Sequence, residues 1–484
     1  SKDGKALLAC DMHLELAIPN IWYRAAFHYQ ENKEDVHIFG VTIPGAPLMI
    51  IGSNTHIAWG FTNAHLNTSS IIVVDPTSTQ TVVEMILVKD KAPFAFEIKE
   101  SAWGPILPQT FFGNRVSLSW IAHSPEALNL QLLQLEKVKD VQSALNASKA
   151  IKVPVLNFLV ADRNSNIAWT LIGAIPNQNP DDYPVVLNPI DHAIWSANNR
   201  TLGGEWLSGA GGESYLNGIR AYQIQQGLLN FREAAPKDML ALQMEIKAPF
   251  FERWQRLLIE ILQSGANSQK QQELLSVIQA WNGRSAKESA AYYWIRLFRE
   301  RISTAILERV LAPCLDECHD FLAYFQDFEE PAWLIAQHQP SYLADPKHNS
   351  WNEEFLSHID RMMMSIELAE IKNQIWGNQN RLAMNHPFSS AFPGLGYLLD
   401  MPSIPMSGDY YVPKVVYCND GASQRMVVSP GNESEGIFHM PGGQSSHFLS
   451  SFFRAGHEAW VKGEATPFLP GKPVHKLTFQ PARK

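Results

Sequence analysis

A single large α+β body is the fold class this sequence predicts. Strand-rich ends enclose a helical middle, and no regular β–α alternation runs through the chain, which argues against a doubly wound parallel sheet. Composition agrees: of 484 residues, 45% are hydrophobic and 18% charged, enough apolar mass for a large core.

Residues 1–222 form the strand-rich part. The segments 6–10, 41–43, 48–51 and 71–74 are apolar runs of strand length, punctuated by Gly, Pro, Asn and Asp. Between Leu118 and Val160 the leucines Leu128, Leu130, Leu132, Leu133 and Leu135, followed by Val138, Val141 and Leu145, predict a helical insert. Segments 157–161 and 167–171 predict a strand pair joined by a turn at 162–166. Residues 223–350 predict helices, because Leu240, Leu242, Met244, Leu257, Leu258, Ile261 and Leu262 recur at helical spacing; they serve as scaffold. Residues 351–484 begin helical, then break into long loops at Gly394, Gly396, Pro402, Pro405 and 441–446. A strand at 423–428 lies between these loops, and a basic tail runs from Lys472 to Lys484.

Several function classes are excluded. A formal net charge of -9 without a basic run disfavours nucleic acid as a partner. No apolar run is long enough to predict a membrane-spanning helix. Nucleophile-elbow, phosphate-loop, dinucleotide and His-Glu-x-x-His motifs are absent. Of the cysteines Cys10, Cys314, Cys318 and Cys418, the pair Cys314 and Cys318 shares a helix face, as packed thiols or a local disulfide. His386, His439, His447 and His457 form no spaced metal set. Asp400 and Asp409 are isolated loop acids without a role.

Longer patterns carry the chemistry. They are the segment from Gly4 to Leu14 with Pro19–Tyr23, and Gly52–Asn54 with Ile57–Asn63. Asn157–Ile167 follows, then Ala197–Arg200 with Arg220, and Gly421–Met426 with Pro441–Ser445. In this order they resemble the large (β) subunit of the penicillin acylase family over nearly the whole chain. The resemblance implies a four-layer αββα sandwich of the N-terminal-nucleophile hydrolase type, with a large, mostly helical insertion. It implies an amidase made as a self-cleaving zymogen, a small (α) subunit partner from the same precursor, and a periplasmic or extracellular location. The catalytic group is then a Ser at the new N-terminus whose own α-amine, with an ordinary pKa near ~8, accepts the hydroxyl proton.

The same resemblance assigns site residues. Residues Ser1 to Lys5 match the turn that follows the family's opening Ser-Asn strand. The expectation is therefore a chain that begins after the nucleophile and is inactive as it stands; Ser1 would be the nucleophile only on a shortened strand. Asn198 matches the side-chain oxyanion donor and Asn63 the backbone one. His13 matches a residue that holds the α-amine or the Ser hydroxyl, and Arg220 an arginine that orients the amine and the Asn. Met12, Leu14, Ile51 and Phe61 match the acyl pocket. Leu14 and Ile51 stand where penicillin G acylases carry aromatic rings, which leaves room for a fatty-acyl chain and favours acyl-homoserine lactones as the alternative substrate class. The family's calcium acids are replaced at Asn67–Ser70 by Asn67, Thr68, Ser69 and Ser70, so no metal and no cofactor is expected. A non-catalytic homologue acting as a binding protein is the reading from a different class.

Overall fold

The hairpin Tyr23–Glu31 and Glu34–Thr42 turns on Asn32 and Lys33, both at positive φ (51° and 70°). A two-residue turn of that hand matches the right-handed twist of the strands it joins. In the computed structural model, which describes residues 1, 3–75, 77–212, 215–317, 328–392 and 394–481, this hairpin forms one edge of a seven-stranded sheet. Across the sheet follow Ile51–Ser53, Ile57–Asn63, Leu156–Asp162, Ile167–Ile172 and Val185–Leu187, every neighbour antiparallel. The expected strand pair at 157–171 lies in this sheet. Its turn closes on the buried carboxylate of Asp162, which accepts the N–H groups of Asn164 (2.9 Å) and Asn166 (3.0 Å).

A smaller sheet, Leu8–Cys10, Arg425–Val428 and Ile437–His439, faces the large one. Gly60 permits the approach: a Cβ there would stand 3.1 Å from both Cβ and Sγ of Cys10. Leu8, Cys10, Met426 and Val428 share one core with Ile57, Trp59, Phe61 and Phe158. Helix Val141–Ser148 covers the outside of the large sheet, and helix Pro236–Gln243 covers the small one. Helix, sheet, sheet and helix make the four expected layers.

Two further sheets extend the body. His13–Glu15, Asp420–Ala422 and Val416–Tyr417 continue from the small sheet. Ser69–Val73, Gln80–Ile86, Phe94–Ser101, Gly104–Phe111 and Asn114–Trp120 form a largely exposed five-stranded sheet. Leu118 therefore does not open a helical insert; it pairs with Ile71 in a strand. The insert is two short 3₁₀ turns and the helix Val141–Ser148. Leu128, Leu130 and Leu132 explain the difference, because a spacing of two cannot make one face of an α-helix, and Leu128 and Leu130 stay exposed.

The helical middle builds a second core around Trp254, Trp294, Phe298, Phe355 and Ile359. Residues 351–363, placed at sequence level with the return segment, pack into this core as helix Trp351–Met363. Asp409 does have a role: fully buried, it accepts Arg296 Nε at 2.7 Å and Tyr292 OH at 2.8 Å. Asp400 likewise accepts the His386 N–H at 2.7 Å. Cys10, Cys314 and Cys418 are free thiols, whereas Cys318 lies outside the described residues. Among the described residues no helix is long and apolar enough to cross a membrane.

Candidate active site

Asp11, Met12 and His13 occupy the crossing between the small sheet and its continuation, and their backbone is tied down. Ser423 donates its N–H and its hydroxyl to the Met12 carbonyl (2.9 and 2.7 Å), and Trp22 Nε1 donates to the Ser423 hydroxyl at 2.8 Å. Gln424 Nε2 holds the Cys10 carbonyl at 3.1 Å. Beside this crossing lies a cavity of about 1580 Å³, walled by the residues 6–14, the end of Ile57–Asn63 and helix Ile219–Asn230. Among the described residues Leu8–Cys10 pairs with Arg425–Val428 on one side only, and its residues line the cavity.

One hydrogen-bonded chain crosses the cavity wall. Arg220 Nη1 lies 3.0 Å from His13 Nδ1. A guanidinium only donates, so Nδ1 is the acceptor, and Nε2–H donates to Asp11 Oδ2 at 3.0 Å. Burial pushes the His13 imidazole below its ordinary pKa; Asp11 opposes this and Arg220 and Arg425 add to it. His13 is thus held neutral, as one tautomer. The other Asp11 oxygen accepts Gln243 Nε2 at 3.3 Å. Burial lowers Arg220 to about 10, against the attraction of Asp11 and Asp420, so it stays cationic at neutral pH.

Arg220 Nη2 donates to Asn198 Oδ1 (3.1 Å) and to the Ala197 carbonyl (3.3 Å). That fixes which end of the Asn198 amide is nitrogen: Nδ2 lies 3.3 Å from the Asn63 carbonyl. Asn198 adopts φ 63°, a left-handed conformation that Asn tolerates better than most residues. The Asn63 side chain folds back to accept the His65 N–H at 3.0 Å, and so leaves the backbone as that residue's contribution to the site.

The structure therefore joins His13, Arg220, Asn198 and Asn63. Met12, Leu14 and Phe61 line the same cavity, but Ile51 does not: its strand is interior to the large sheet and enclosed on both faces. Ser1 is not brought to the cluster. Its ammonium bonds the Lys5 carbonyl (3.0 Å) and its hydroxyl bonds Asp3. Ser165 Oγ docks this turn at Gly4 O (2.7 Å), at the Asp162 end of a strand whose other end, Leu156, pairs with Asn63. Seven extended residues separate those ends by about 20 Å. Sequence reasoning missed Asp11 and Gln243 as partners of the cluster. Asp11 was findable, since it stands two residues before His13 in the same motif. Where the family's calcium acids would stand, Asn67 donates its N–H to Gly211 O at 2.7 Å and Thr68 O accepts the Ile121 N–H at 2.9 Å. Among the described residues no group of three or more His, Cys, Asp or Glu is placed to hold a metal.

An acyl-homoserine lactone acylase of Pseudomonas aeruginosa is 22% identical over all of this chain and 68% of that protein. One from Pseudomonas syringae pv. syringae is 28% identical over 37% of this chain and 23% of that protein. Penicillin acylase 2 proenzyme of Pseudomonas sp. is 22% identical over 96% of this chain and 65% of its own length. The chain thus spans about two thirds of the length of the curated relatives it matches end to end. The thermostable penicillin G acylase of Alcaligenes faecalis superposes with a TM-score of 0.73 at 15% identity, over 99% of this chain and 98% of that one. That likeness fixes the fold as the sandwich of the N-terminal-nucleophile hydrolases. The penicillin amidase profile matches residues 1–472, and the chain belongs to that family.

Proposed function

We propose that the mature protein hydrolyses a small acyl amide through an acyl-enzyme on an N-terminal Ser that precedes residue 1. The observation that carries this is the Asn198 amide, held by Arg220 with Nδ2 turned to the Asn63 backbone. Together Asn198 Nδ2 and the Asn63 N–H supply the two donors a developing oxyanion needs. The free edge of Leu8–Cys10 supports the placement of the nucleophile. A preceding strand paired antiparallel to residues 6–10 would start beside Asp11 and His13, next to those donors. Its Ser hydroxyl attacks the amide carbon and gives its proton to the α-amine. The leaving amine takes that proton as the C–N bond breaks, and water repeats the cycle to release the acid. With both ring nitrogens engaged, His13 positions Arg220 and does not act as the base.

The acyl group occupies the apolar wall of Met12, Leu14 and Phe61. A long-chain acyl amide of the acyl-homoserine lactone type is the substrate reading, supported by the names of the relatives and by aliphatic Leu14; a penicillin-type side chain is the alternative. A small subunit from the same precursor completes the enzyme outside the cytoplasm, and no metal or cofactor takes part.

The test is N-terminal sequencing and intact mass of the large subunit purified from its full-length precursor. Hydrolysis of a long-chain acyl-homoserine lactone is then compared with that of a phenylacetyl amide. A mature chain that starts upstream with Ser and turns over either amide is the expected result. A start at Ser1 overturns the proposed nucleophile, and an uncut, inactive precursor leaves a binding homologue.

A further inference from the structure

The exposed face of the hairpin Tyr23–Glu31 and Glu34–Thr42 carries chemistry the amidase reading does not use. Register sets His28 directly opposite His37. Alternation places Gln30 and Asp35, the next facing pair toward the turn, on the same side. Both imidazoles are solvent-exposed. Their Nδ1 atoms stand 2.5 Å apart, with ring centroids at 4.8 Å and planes at 64°. Without a metal ion the two rings share one hydrogen bond, Nδ1–H of one donating to Nδ1 of the other; a metal ion between them would replace that proton and take a lone pair from each.

We propose that His28 and His37 form a binding site for one divalent transition-metal ion of the zinc, copper or nickel class. Imidazole nitrogen suits these ions and does not suit calcium or magnesium. Metal–nitrogen bonds near ~2.0–2.1 Å at a tetrahedral angle need the two nitrogens about 3.3 Å apart. Exposed side chains reach that separation by small χ rotations. His28 is backed edge-on by Phe39 (5.3 Å), and Phe39 by Phe468 (6.4 Å), so the rings swing against a fixed wall. Asp35 is engaged by Gln30 Nε2 at 3.0 Å, so the protein supplies two ligands and water the rest. The turn and the backbone register hold the two ligands together before metal arrives, which is what separates this pair from the chain's other surface histidines. Binding joins the sheet's edge strand to its neighbour by a second link besides the backbone ladder.

The experiment is calorimetric titration of the metal-stripped chain with zinc, then copper, at pH 7.5 and pH 5.5, beside His28→Ala, His37→Ala and a control His348→Ala. The proposal expects one tight equivalent at pH 7.5, weakened at pH 5.5 because protons and metal compete for the same nitrogens. Either hairpin variant should weaken binding on the order of 100-fold by removing the second ligand, while the control binds as the parent chain does. Copper electron paramagnetic resonance, which counts nitrogen ligands, reads the parent chain even if a variant fails to fold; two equivalent nitrogens are expected. No binding, a single-nitrogen spectrum, or unchanged affinity in a folded hairpin variant overturns the site.

Discussion

At the scale of single residues, the cluster behaves as one hydrogen-bonded chain from Gln243 through Asp11, His13 and Arg220 to Asn198. Asn198→Ala removes the amide that the proposed mechanism uses as its side-chain oxyanion donor. In the matured enzyme kcat should fall by about 10²–10³, measured by steady-state hydrolysis of the acyl amide. Arg220→Lys keeps the charge but loses the fork that reaches His13 and Asn198 together. It should fall nearly as far in kcat; near-parental turnover would show that charge alone suffices. That His13, Asn63, Asn198 and Arg220 come together was legible because each sits in a local pattern whose order is kept along the chain. Gln243 was not, since 232 positions separate it from Asp11 and only the packed fold brings them together. Ile51 was misplaced because an apolar residue reads the same whether it faces a cavity or a packed interior.

Among the elements, the turn after Leu156–Asp162 does more than reverse the chain. Asp162 Oδ2 also accepts the Val141 N–H at 3.1 Å, which ties the outer helix to the large sheet. Asp162→Ala leaves these buried donors without an acceptor and should cost about 2–3 kcal/mol, read as a shift in the denaturant midpoint. The strand pair itself was predictable, because a polar turn of Asp, Asn and Ser separates two apolar runs of equal length. The stretch after Leu118 was not, because leucines spaced by two and by one fit neither period cleanly.

For the molecule as a whole, acid is the condition to watch. His439 is buried, its Nε2 accepting from Arg425 Nη1 (3.1 Å) and its Nδ1–H donating to Glu464 O (3.2 Å). Burial, with Arg425 alongside, lowers it from 6.5 to about 3. Between those values the unfolded chain binds a proton the folded chain refuses, so stability falls as pH drops below 6.5 and levels off near 3. His13, lowered in the same direction, adds to the slope. The loss at His439 is on the order of several kcal/mol, and unfolding midpoints at pH 7 and pH 4 should converge in His439→Gln relative to the parent. In the helical half, Asp409→Ala strands Arg296 and should cost about 3–5 kcal/mol, again by denaturant titration.

The small sheet has a consequence in time. Cys10 pairs with Met426, so the strand Leu8–Cys10 waits while the roughly 400 residues between them are made. At a synthesis rate of ~5–20 residues per second, that wait is on the order of 20–80 s on the ribosome. Until then the inner layer under the His13–Arg220 cluster cannot close. Any maturation that depends on this layer must follow synthesis of Arg425–Val428, and a truncation before residue 425 would stall it altogether.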